Sequence, residues 1–160
     1  MKLAIVSDIH GNLTALDAVV DDIAARGVDE VIHGGDLALA GAQGAEVVDR
    51  IRELGWDGIV GNVDELRETY GTPGAPLVVY GHIHRPFVRA TVANSGSVGS
   101  PFDGDPRATY LLVADGRAEV VRVEYDVERE ADLVLRSGYP DAERIAEMRR
   151  SGRFVGVRRR

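Results

Sequence analysis

Four short clusters hold side chains that suit one shared chemistry: Asp8-Ile9-His10, Gly34-Gly35-Asp36, Gly61-Asn62 and Gly81-His82-Ile83-His84. Each stands at or just past the end of an apolar run. Carboxylate, carboxamide and imidazole are the donors that hold divalent transition metals. Asp8 with His10, and His82 with His84, are i, i+2 pairs at strand ends. A period of two is expected to point both members of a pair the same way, so that each pair offers two converging ligands. Any one cluster alone is weak evidence; the four in this order are strong evidence.

The elements that must carry these clusters follow from the apolar pattern. Lys2–Ser7 reads as a buried strand, and Asn12 to Arg26 as a helix with Leu13, Leu16, Val20 and Ile23 at helical spacing. Gly27 stops that helix, and Val31-Ile32-His33 leads into Gly34-Gly35-Asp36. Ala45 to Leu54 reads as a second helix closed by Gly55, and Gly58-Ile59-Val60 as a short strand ending at Gly61-Asn62. Strand–helix–strand alternation implies right-handed crossovers and a parallel sheet, with ligands gathered outside the carboxyl ends of the strands. The first three clusters fall there. Beyond them, Leu77 to Tyr80 reads as a strand feeding Gly81-His82. Phe87–Ala93, Ala108–Ala114 and Ala118–Tyr125 read as antiparallel strands, the last two joined by a tight Asp115-Gly116 turn. Helices are expected over Val127–Arg136 and Asp141–Arg150.

Size and composition fit one soluble globular domain over residues 1–160, with 44% hydrophobic and 28% charged residues. The absence of cysteine excludes disulfides and thiol nucleophiles and fits a reducing cytoplasm. The stretch after Met1 is too short for a secretory signal, and no apolar run approaches the ~20 residues of a membrane span. A formal charge of −7 argues against general nucleic-acid binding. Arg149, Arg150, Arg153, Arg158, Arg159 and Arg160 depart from that balance. They read as a solvated or frayed basic end, with an anionic partner as the alternative.

Taken in order, D-x-H, G-G-D, G-N-x-D and G-H-x-H resemble the calcineurin-like metallophosphoesterases, and most of all their small bacterial phosphodiesterase branch. Gly81-His82-Ile83-His84-Arg85-Pro86-Phe87 and Asn94-Ser95-Gly96-Ser97-Val98-Gly99 are similar to that branch as well. The resemblance implies a layered α/β/β/α sandwich with a two-metal centre at the strand ends. By position, Asp8, His10 and His84 would hold one metal, Asp36 would bridge, and Asn62 and His82 would serve the second. Asp36, Asn62 and His82 would also be the catalytic set. Mn, Fe, Zn or Ni ions all suit such donors. The implied activity is hydrolysis of phosphodiesters or phosphomonoesters by a metal-activated hydroxide. The alternative is a non-catalytic scaffold that keeps the fold and uses its surface for partners.

Two departures qualify the likeness. Only residues 65–81 separate Asp64 from His82, and none is the further second-metal histidine that family members carry there. The fold is therefore expected to be truncated in the middle, with a weakened second site and a sheet edge or apolar face that a homodimer would cover. Val63 stands where many members have a histidine thought to protonate the leaving group. Other residues have plainer readings. Asn12 and Asp64 suit helix N-caps, with a substrate contact and a role orienting Asn62 as their respective alternatives. Asn94 and Ser97 suit a loop near the site. Arg85 reads equally as a phosphate contact or a solvated side chain, and His33 matches no ligand position.

Overall fold

The computed structural model describes residues 1–59, 78–89 and 92–156. Strand β1 (Lys2–Val6) lies at the centre of a five-stranded sheet. On one side it pairs in parallel with β2 (Glu30–His33), which pairs with β3 (Asp57–Gly58). On the other it pairs antiparallel with β7 (Ala108–Ala114), and β7 with β8 (Arg117–Val123). A second sheet orders β4 (Val78–Tyr80), β6 (Val92–Asn94) and β5 (Phe87–Arg89). β4 and β6 are parallel, and β5 and β6 antiparallel.

Alternation along β1 explains the layering. Ala4 and Val6 face the helical side, where Leu16, Val19 and Ile23 of helix α1 (Leu13–Ala25) and Val47 and Ile51 of α2 (Gly44–Leu54) join Tyr110 and Val121 in one core. Ile5 faces the other way and packs with Leu111 and Ala93 between the two sheets. Helices α3 (Val127–Arg136) and α4 (Ala142–Ser151) form a hairpin whose own core joins Val134, Ile145 and Met148 to Phe102. This mixed architecture, a central sheet flanked by helices with a second sheet on its other face, is the expected fold class. No helix among the described residues is long and apolar enough to cross a membrane.

Most boundaries follow local chemistry. Asn12 caps α1 by accepting from the Ala15 N–H at 2.9 Å, and Gly55 closes α2 in a left-handed conformation. Asp115 and Gly116 both have positive φ, as a tight two-residue hairpin turn requires. Two expectations are corrected. The single strand read over Phe87–Ala93 is a pair, β5 and β6, folded back on itself. The third strand lies at Asp57–Gly58, before the expected Gly58–Val60, and Val60 is outside the described residues. Asn62, Val63 and Asp64 also lie outside them.

Asn12 also donates to the Gly99 carbonyl at 3.2 Å and to the Tyr125 hydroxyl at 3.3 Å, tying α1 to the loop after β6. Asn12→Ala should therefore lower unfolding free energy by about 1–2 kcal/mol, one cap plus a share of a buried hydrogen bond. Urea denaturation followed by circular dichroism checks this, and a change under 0.3 kcal/mol on the order of experimental error would contradict it.

Candidate metal centre

The chain leaves β1 at Val6 and β2 at His33, but the two segments stay zipped together. Gly34 N donates to Val6 O at 2.8 Å, Asp8 N to Gly35 O at 3.2 Å, His10 N to Asp36 O at 3.0 Å and Gly11 N to Leu37 O at 2.8 Å. Within this extension the backbone is not strand-like: Asp8, His10, Asp36, His82 and His84 all have φ between 50° and 67°. These are non-glycine residues in the left-handed region, a costly conformation that Asp and His tolerate better than most. The ligand-type side chains are therefore aimed by left-handed turns beyond the strands. The period-two argument does not describe them.

Asp8, His10 and His84 come together, with one ligand atom from each lying within 4.8 Å of the others. His84 Nε2 is 2.9 Å from Asp8 Oδ1, His10 Nε2 is 3.8 Å from it, and the two Nε2 atoms are 3.2 Å apart. All three residues are buried. Each ring is anchored from behind: His10 Nδ1 donates to the Leu39 carbonyl at 2.9 Å and His84 Nδ1 to the Ser100 carbonyl at 2.6 Å. A carbonyl can only accept, so both rings carry the Nδ1 proton and present Nε2 to the centre of the group. Phe102 stacks on His84 at 4.5 Å, which fixes the plane of that ring.

Asp8 is positioned as closely. Ser7 Oγ donates to its Oδ2 at 2.6 Å, and the His82 backbone N–H donates at 3.0 Å to Oδ2 and 3.2 Å to Oδ1. Burial alone would raise the Asp8 pKa, but the His84 ring, the Ser7 hydroxyl and the His82 amide together hold it below the ordinary carboxylate value. Burial, then the nearby His84 ring, push His10 down to about 4, so its imidazole is neutral at pH 7. One carboxylate oxygen and two imidazole Nε2 atoms thus converge on one point, a donor set suited to a divalent ion. Metal–ligand distances of about 2.0–2.2 Å place neighbouring ligand atoms about 3 Å apart, close to the separations of 2.9 and 3.2 Å and short of the 3.8 Å between His10 and Asp8. The residues fit a divalent ion.

The other expected ligands are placed differently. Asp36 is buried at the end of β2 but is not in the 4.8 Å group. His82 is exposed and also outside the group; its backbone N–H serves Asp8. The pair is therefore split, His84 buried in the group and His82 exposed. Asn94 and Ser97 do shape the adjoining loop: Asn94 Nδ2 donates to Gly81 O at 2.8 Å, and Ser97 Oγ to Asp8 O at 2.6 Å. Arg85 is exposed and donates to the Phe102 carbonyl at 3.2 Å.

Sequence reasoning missed Arg149. It was expected in a frayed basic end, yet it is fully buried on α4 beneath the site. Its guanidinium donates to Ala40 O at 2.8 Å, to His10 O at 3.2 Å and to Ser100 Oγ. Glu130 of α3, also fully buried, is its neighbour, with Oε1 4.0 Å from Arg149 Nε. Arg150 belongs to ion pairs with Glu128 and Asp132, and residues 158–160 are outside the described residues. The one signal available in sequence was that Arg149 follows Ile145 and Ala146 at helical spacing on the inward face of α4.

Comparison with known proteins agrees with this geometry. Residues 1–75 match the model of the calcineurin-like phosphoesterase superfamily domain. A metallophosphoesterase from Sphaerobacter thermophilus superimposes with a TM-score of 0.81 at 23% identity, over 95% of this chain and 100% of that one. Yfce, a phosphoesterase from E. coli, superimposes with a TM-score of 0.57 at 26% identity, over 78% of this chain and all 100% of that one. A protein of Methanocaldococcus jannaschii is 25% identical over 87% of this chain and 94% of its own length. That alignment runs over 228 positions, more than the 160 residues of this chain, so part of the relative has no counterpart here. The first 75 residues thus resemble the calcineurin-like phosphoesterase superfamily domain, and the chain has the fold of a solved metallophosphoesterase.

Two outcomes are expected. A Cβ at Gly81 would stand 2.3 Å from both Asp8 Oδ2 and Ser7 Oγ. Gly81→Ala should therefore displace the carboxylate and weaken Mn²⁺ binding by about tenfold or more, read by calorimetry, while the far-ultraviolet spectrum is kept. Unchanged affinity would show that Asp8 is not a ligand. The second concerns pH. Burial raises Glu130 from 4.5 to about 7, against the opposing pulls of Arg149 and Thr14. The folded state then keeps a proton that the unfolded chain releases at lower pH, so this stabilisation is full below about 4.5 and lost as pH rises through about 7. Between pH 5 and 8 on the order of that window, Glu130→Gln should lose less stability than the wild type; parallel melting curves would refute it.

Proposed function

We propose that the protein is a metal-dependent phosphoesterase acting on phosphodiesters. The observation that carries this reading is the convergence of Asp8, His10 and His84, buried and with both rings oriented from behind. The family match and the Yfce likeness support the same class. A bound divalent ion, or a pair of them, would draw charge from the phosphoryl oxygens and acidify the attacking water. Mn²⁺, Fe, Zn²⁺ and Ni²⁺ all suit this donor set.

The chain's own residues have separate tasks in this reading. Asp8, His10 and His84 hold the first ion. Asp36, whose backbone carbonyl is hydrogen-bonded to His10 N at 3.0 Å, supplies the second carboxylate at the rim and is assigned the bridge. Asn62 and His82 are assigned to the second ion, which fills less readily because its set is short by one histidine. Val63 cannot donate a proton, so leaving groups that need no protonation are favoured.

A second reading, a scaffold that keeps a single metal and docks partners, draws on the outward placement of His82. One experiment separates the two. Metal-stripped protein is titrated with Mn²⁺ while hydrolysis of bis-p-nitrophenyl phosphate is followed, beside Asp36→Asn and an alkyl phosphodiester. Activity should rise with Mn²⁺, fall by about 100-fold or more in Asp36→Asn, and be far slower on the alkyl ester. No hydrolysis at any Mn²⁺ level, despite bound metal, would favour the scaffold. Equal rates on alkyl and aryl esters would remove the role given to Val63.

A further inference from the structure

We propose that Arg149 is the positioning residue of the candidate metal centre, setting both histidines through the two carbonyls that anchor them. This rests on the ligand assignment of His10 and His84 made above. A lone surface arginine at a helix end has no need of burial, yet Arg149 has none of its surface exposed. Taking a guanidinium out of water is expensive unless its donors are matched. What it meets are three acceptors from three separate segments that form the site: His10 O, Ala40 O and Ser100 Oγ.

Each contact sits one link from a metal-facing ring. Ala40 has φ 69°, a left-handed conformation for which alanine has no side-chain compensation. Arg149 Nη2 holds that turn through the Ala40 carbonyl at 2.8 Å. The residue before it, Leu39, offers the carbonyl that takes the His10 Nδ1 proton at 2.9 Å. On the other side, Arg149 Nη1 holds the Ser100 hydroxyl, and the Ser100 carbonyl takes the His84 Nδ1 proton at 2.6 Å. One planar fork thus fixes both anchors at once, which a lysine, with a single nitrogen, cannot do. The cost is a positive charge beneath a cation site. Glu130, fully buried at 4.0 Å from the guanidinium, is the carboxyl nearest to that charge.

The test uses the full-length protein with Arg149→Met and Arg149→Lys. Long-range proton–nitrogen spectra of the metal-free protein read the tautomer of each histidine, assigned by single-site variants. In the wild type, His10 and His84 should both show the Nδ1–H form. In Arg149→Met both should become tautomer mixtures, with Mn²⁺ affinity by calorimetry falling about 10- to 100-fold, as for loss of other groups that orient ligands. Arg149→Lys, which keeps the charge opposite Glu130, should fold and recover the affinity only in part. A folded Arg149→Lys or Arg149→Met with wild-type tautomers and Mn²⁺ affinity within about twofold would overturn the proposal. If Arg149→Met does not fold, Arg149→Lys decides alone. If the wild type binds Mn²⁺ without hydrolysing diesters, the catalytic reading fails while this one stands on the tautomers and the affinity. If the wild type binds no metal, the tautomers of the variants still decide whether Arg149 sets the two rings.

Discussion

Left-handed backbone at the strand ends is the constraint on which the site depends. Asp8, His10, Asp36, His82 and His84 share it, and each such residue costs on the order of 1 kcal/mol or more relative to a relaxed conformation. Strain of this kind persists only where the surroundings over-determine it. Here they do: Asp8 alone is held by Ser7, by the His82 amide and, through its carbonyl, by Ser97 Oγ and Gly99 N. The close approach of Gly99 to Ile9, where a Cβ would meet the Ile9 carbonyl at 1.8 Å, makes that last contact possible. Turning the backbone left-handed lets short side chains from separate strand ends meet at one point.

The supports of the site come from the whole length of the chain. The parallel strands β1 and β2 present the first loops, while the segment after β6 closes over Asp8 from the far side. The C-terminal hairpin of α3 and α4 adds a buried arginine from below, and Phe154, just past α4, meets edge-on at 5.4 Å the Phe102 ring that stacks on His84. Removing any one layer would leave a carboxylate and two imidazoles able to relax apart.

Electrostatics follow the same division. The three inward side chains are buried, with His10 kept neutral and Asp8 kept ionised by their surroundings. Beneath them Glu130 and Arg149 are buried together at 4.0 Å. Buried pairs of this kind contribute little net stability, since desolvation offsets attraction. The burial of the guanidinium is better explained by what it holds than by the energy of the pair.

Local chemistry was legible in the sequence to a fine grain. Helical spacing and the cap at Asn12 placed α1, alternation and the Asp115-Gly116 turn placed β7 and β8, and the D-x-H and G-H-x-H clusters named the three residues that converge. These depend on neighbours within a few residues, which a sequence displays. What tertiary structure alone decided was direction and company. It turned His84 inward and His82 outward, because side-chain aim beyond a strand end is set by backbone torsions that residue spacing does not encode. It folded the stretch from Phe87 back into two strands. It also buried Arg149, whose partners lie more than a hundred residues away at His10 and Ala40, a contact that only the packing of α4 beneath the sheet's carboxyl edge could create.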